Sequence, residues 1–165
     1  MKKTLGLAFI STLAFSTLAF SASEKVYNQS LLNKYYESIN AVKKQEKVCQ
    51  ESAVILPKNT FNGVEISEKE LFIVLNYFYF KAEVSCSKSS HHDYYASSIL
   101  LRLTDKKTEH IIDASDKLIS KTFENFIKSE VSYSTLPSDL RGQVENILIL
   151  KAPFLSLESL DNINL

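Results

Sequence analysis

Apolar and polar positions follow a helical period along almost the whole chain. The densest apolar run is 71–80, LFIVLNYFYF, broken only by Asn76. Just before it stands Ser67-x-x-Glu70, the spacing at which a hydroxyl and a carboxylate each satisfy a backbone N–H at a helix start. A helix apolar on every side is a buried one, so the pattern predicts a central helix over 67–86. The aromatic and β-branched content of 72–80 also suits a buried strand. The cap and the more polar continuation, Lys81 to Ser85, favour the helix.

A first helix is predicted over 25–52, where Tyr27, Leu31, Tyr35, Ile39, Val42 and Cys49 recur at steps of three or four or close multiples of them. Glu46 alone breaks that stripe. In the connection 53–66, Pro57 stops a helix and Asn62-Gly63 signals a turn. Val54-Ile55-Leu56 and Val64-Glu65-Ile66 flank the turn and can pair as a short β-ribbon. A polar linker, 87–90, follows Cys86. Ser90, with Asp93 three residues on, is positioned to cap a third helix reaching about Thr104, with Tyr94, Tyr95, Ile99, Leu100, Leu101 and Leu103 as its apolar face. A fourth helix opens at Asp105 or Thr108. It presents a broad stripe in which Ile111, Leu118 and Phe126 are widened by Ile112, Ile119, Phe123 and Ile127. Between Pro137 and Pro153 a fifth helix covers 138–151 with Val144, Ile147, Leu148 and Ile149 inward. The tail 154–165 repeats Phe154, Leu157, Leu160 and Ile163, which suits a strap on the chain's own core or a segment docking on a partner. The fold class expected is all-α, a small bundle of four to five helices around 67–86.

The first residues change the picture. Lys2 and Lys3, an uncharged apolar stretch from Leu5 to Phe20, and Ser21-Ala22-Ser23 together read as a bacterial-type signal peptide over 1–23. The remainder, 24–165, is then a single helical domain, periplasmic or secreted, with no membrane insertion after cleavage. Lys+Arg and Asp+Glu balance at 19 each, and loss of Lys2 and Lys3 leaves a slight acidic excess. That charge gives no electrostatic reason to bind nucleic acid. Three glycines in 165 residues argue against turn-rich β folds and multi-glycine phosphate loops.

Cys49 and Cys86 are the only cysteines. In an exported chain they are expected to form a disulfide. If the first helix ends near Cys49 and the central one near Cys86, a plain antiparallel hairpin separates them by about 27 Å. Bridged Cα atoms lie within about 7 Å. The two helices are therefore expected to run parallel, the connection doubling back along the bundle. A break near Asn76 is the other solution.

Candidate chemistry is sparse. His91, His92, Asp93 and His110 are the only residues resembling a metal set, and adjacent histidines on a helix point about 100° apart. Asp93 is equally well explained by a helix N-terminus. No serine stands in a nucleophile elbow and neither cysteine in a C-x-x-C. No catalytic residue, cofactor or metal ligand is assigned. The expected function is binding of a protein partner by an accessory, inhibitor or immunity-type protein. The alternatives are a carrier with a small apolar ligand in an aromatic-lined pocket (72–80, Tyr35, Tyr36, Tyr94, Tyr95) and, third, a metal-dependent enzyme using the histidines.

Overall fold

The computed structural model describes residues 10–104 and 106–163, with side chains from residue 28 onward. The predicted signal peptide, 1–23, lies outside the described side chains. Five α-helices follow in order: α1 (Ile10–Glu51), α2 (Glu68–Thr104), α3 (Glu109–Ser134), α4 (Ser138–Glu145) and α5 (Ser156–Ile163). The chain is all-α with one disulfide, and no strand occurs among the described residues.

α2 is the axis, a rod of 37 residues about 55 Å long. Its N-terminus carries the expected capping box: the Ser67 N–H donates to Glu70 Oε2 at 3.0 Å, and the Glu70 N–H reaches Ser67 Oγ at 3.4 Å. The predicted break at 87–90 does not exist. Ser87 Oγ donates to the Glu83 carbonyl and Ser90 Oγ to the Ser87 carbonyl. With no glycine or proline present, serines that bond back one turn are tolerated inside a helix. The central and third predicted helices are therefore one.

That continuity reverses the predicted topology. Cys49 and Cys86 are bridged, with Cα atoms 6.1 Å apart. Ser38 Oγ lies 2.8 Å from Ser97 Oγ, and the rings of Tyr35 and Tyr94 are 5.8 Å apart. Numbers fall along α1 as they rise along α2, so the helices are antiparallel. The parallel arrangement rested on α2 ending at Cys86. It runs about five turns further, and α1 pairs with that extension. The connection does travel back along the first half of α2, as its length allows. α3 returns antiparallel down the other flank, with Arg102 pairing to Asp113 and Asp116 near one end and Tyr133 stacked on Tyr77 near the other.

Two hydrophobic cores are strung on α2. One joins Leu31, Tyr35, Ile39 and Val42 of α1 to Tyr94, Leu101, Ile112 and Ile119. The other gathers Leu56, Phe61, Leu71, Val74, Leu75, Tyr77 and Phe78 with Tyr133, Leu140, Val144, Leu150, Phe154 and Ile163. Each large side chain fully buried contributes about 1.5–3 kcal/mol.

The expected ribbon is absent. Residues 57–64 coil through successive turns, closed by Thr60 N–H to Pro57 O, Asn62 N–H to Asn59 O and Val64 N–H to Phe61 O. Gly63 supplies the positive φ of 82° that this path needs. Val54 pairs instead with the tail in a single parallel bridge to Phe154. The tail is a strap. Ser159 Oγ accepts from the Leu56 N–H at 3.0 Å, and Asn162 Nδ2 donates to the Leu56 carbonyl at 2.8 Å. The buried backbone of Leu56 thereby finds both its partners. Leu157 alone of the tail's repeat points outward, 72% exposed. The predicted fifth helix stops at Glu145, because Ile147 is extended. A short 3₁₀ turn, Leu148–Lys151, follows and leaves Leu148 outward.

Candidate functional site

The histidines predicted as a metal set do not converge. His91 turns inward between α1 and α2, while His92 and Asp93 stand in solvent against each other, Nδ1 to Oδ1 at 3.6 Å. His110 is exposed on α3. Among the described residues no three His, Cys, Asp or Glu side chains are grouped to hold a metal ion.

His91 instead belongs to a polar group between the two cores. Its Nδ1 lies 3.2 Å from the Ser87 carbonyl. A carbonyl only accepts, so Nδ1 carries the hydrogen. Nε2 is buried without a hydrogen-bond partner, 3.7 Å from Glu46 Oε1. Glu83 lies on the same side of α2, only 6% exposed. Burial raises its carboxyl above the usual range, and the charge of Glu46 adds to the effect. One turn from Glu46 and from Glu83 is the Cys49–Cys86 bridge. There Gln45 Nε2 donates to the Cys86 carbonyl at 3.4 Å.

Outside the cores, α2 and α3 display large apolar side chains to solvent. Tyr95, Ile99 and Leu103 recur every fourth position on α2, from 37% exposed at Tyr95 to 79% at Leu103. Phe123, Ile127 and Val131 do the same on α3, all exposed by 43% or more. Residues four apart share a helix face. Burial raises the Tyr95 hydroxyl, with further effects from Asp116 and Glu124, so that side of α3 neighbours Tyr95. Phe123 and Ile127 fall on the same flank. In the antiparallel register set by Tyr94 with Asp116, Arg102 with Asp113 and Tyr77 with Tyr133, Tyr95 and Phe123 are the near ends of the two rows, and Leu103 and Val131 the far ends. Arg102, held by Asp113 and Asp116 at 2.6 and 2.8 Å, sets a charged border.

The predicted stripe on α3 assigned Phe123 and Ile127 inward. Only Ile112, Ile119 and Tyr133 of its large apolar residues are buried; Leu118 is 71% exposed. The signal was present in its width, since positions 111, 118, 119, 123 and 127 span more of the circumference than one neighbouring helix covers. Glu83 had no such signal.

The aromatic residues expected to line a pocket mostly pack on one another. Tyr77 stacks on Tyr133 at 4.0 Å, and Tyr79 meets Phe80 and Phe154 edge-on. A groove of about 450 Å³ follows the α1–α2 seam, lined by Leu31, Ser38, Ala41, Ala96, Ser97 and Leu100 among others, with no aromatic side chain.

No family, no curated protein and no solved structure matches this chain. Its function is therefore read from these residues. None of the arrangements above places a nucleophile beside a base, and no helix among the described residues is long and apolar enough to cross a membrane.

Proposed function

We propose that this is an exported helical binding protein of accessory, inhibitor or immunity type, which acts by occupying a protein partner through the two apolar rows of α2 and α3. The observation that carries the reading is the rows themselves. Six large apolar side chains on two packed helices stand in solvent at helical spacing. Exposed apolar surface of this kind marks interaction sites. Its linear form suits an apolar face of a partner helix. Export is supported by the leader pattern of 1–23 and by the disulfide, which belongs to oxidising compartments.

The test compares the wild type with Ile99→Asp/Ile127→Asp, both recovered from the host's exported fraction and weighed intact by native mass spectrometry. The reading expects a stoichiometric protein companion on the wild type, its loss from the variant, and a melting temperature within a few degrees for both, since both positions are exposed. A companion that stays on the variant excludes the rows. The mass of the free chain is expected to lack residues 1–23; retention of the leader overturns export with cleavage.

A further inference from the structure

We propose that Glu46, Glu83 and His91 form a proton-linked lock between α1 and α2, tightest when the trio holds one proton more than two carboxylates and a neutral imidazole carry. The argument is geometric. Because Nδ1 of His91 donates to the Ser87 carbonyl, a neutral ring can offer only a lone pair at Nε2. That lone pair faces Glu46 Oε1 at 3.7 Å, in a position shielded from water. An acceptor facing an acceptor gains nothing, and the nearly buried carboxylate of Glu83 adds a second negative charge beside it. One added proton relieves the conflict wherever it resides. On Nε2 it turns the contact with Glu46 into an ion pair. On either carboxyl it removes one of two neighbouring negative charges.

The surrounding groups do not supply the missing positive charge. Gln45 and the disulfide lie next to the trio and do not titrate. On α2, Tyr79 is within reach of Glu83, and the Tyr95 ring lies over His91 at 6.5 Å. On α3, Asp116 and Glu124, both acidic, act on Tyr95, the ring next to His91. Among the described residues no lysine or arginine makes an ion pair with the trio. The position makes the conflict consequential. Glu46 and Glu83 each stand three residues from a bridged cysteine, so a loosened joint pivots about the disulfide and opens the seam between α1 and the rest of the bundle.

The sign follows from Glu83. Its carboxyl titrates higher in the folded chain than in the unfolded one, so the folded state binds the extra proton. The stability that this group contributes is therefore fullest below the ordinary carboxylate value and is lost as pH rises through the folded one. The experiment measures urea unfolding of wild type and Glu83→Gln, with the disulfide intact, from about pH 3.5, below the ordinary carboxylate range, to about pH 8. Other groups cancel in the ratio of the two unfolding constants. The lock expects that ratio to rise several-fold with pH, and expects Glu46→Gln to lessen the rise. A ratio constant across the range overturns it. Carboxyl-carbon NMR of the wild type decides the matter without any variant. Glu83 is expected to titrate above a free glutamate, and titration at the free value overturns the lock.

Discussion

Replacing both bridged cysteines with alanine tests the antiparallel staple most directly. The bridge closes a loop with a separation of 37 residues, comprising the last residues of α1, the connection and the first half of α2. On the chain-entropy relation a loop of that size restricts the unfolded ensemble by about 4 kcal/mol at 25 °C. For a domain of this size, about 2–4 °C of melting temperature accompanies each kcal/mol, so Cys49→Ala/Cys86→Ala is expected to melt about 8–16 °C lower. Urea denaturation followed by circular dichroism gives a second readout. If the bridge acts on the unfolded chain, removing it lets that chain expand, and the denaturant slope rises while the midpoint falls. A loss below about 1 kcal/mol with an unchanged slope would refute the reasoning. The unfolded chain would then already hold residues 49 and 86 close together.

Two further outcomes follow from local geometry. In the Cys49→Ala/Cys86→Ala background, Ser38→Cys/Ser97→Cys is expected to oxidise to a new intramolecular bridge, because the two hydroxyls lie 2.8 Å apart; thiol titration that finds both cysteines free after air oxidation would contradict the antiparallel register. Ser67→Ala is expected to lower the melting temperature by a few degrees through loss of the cap. The Ser67 hydroxyl, then its backbone N–H, hold the Glu70 carboxyl below its ordinary value, so this contribution is present above about pH 4.5 and lost as pH falls through the lowered value. The gap between the melts of wild type and variant is expected to narrow in strong acid, where only the Glu70 N–H to Ser67 Oγ bond still separates them, and a gap of unchanged size there assigns the effect to something other than the carboxylate.

Much of the fold was legible in local pattern. The α1 stripe named Leu31, Tyr35, Ile39, Val42 and Cys49, and all five are buried. Ser67 and Glu70 located the start of α2, and Asn62-Gly63 located a turn. What failed was long-range. A run of serines looks like a linker, and only the carbonyls one turn back show that 87–90 stays helical. That single error moved the end of α2 and with it the direction of α1. The ribbon failed for a similar reason. Val54 has the composition of a strand residue, but its partner is Phe154, a hundred positions away, and no local pattern reports that. The disulfide was readable because only two cysteines exist. The trio was half readable: Glu46 interrupts an apolar stripe, whereas Glu83 is unremarkable in sequence and becomes notable only through its burial.

The composition of the second core has a consequence for how the chain is made. Leu56, Phe78, Tyr133, Phe154 and Ile163 all belong to it, and the Leu56 backbone is completed only by Ser159 and Asn162. A chain emerging from its N-terminus can assemble α1, α2 and the early turns of α3 as a hairpin with its own core. The partners of Leu56 arrive only with α5. Until then the core around Leu71, Val74, Leu75 and Phe78 lacks Ile163 and the strap that holds Leu56, so truncation before Ser159 should leave that core incompletely covered, a natural target for chaperones and for proteases that survey newly made chains.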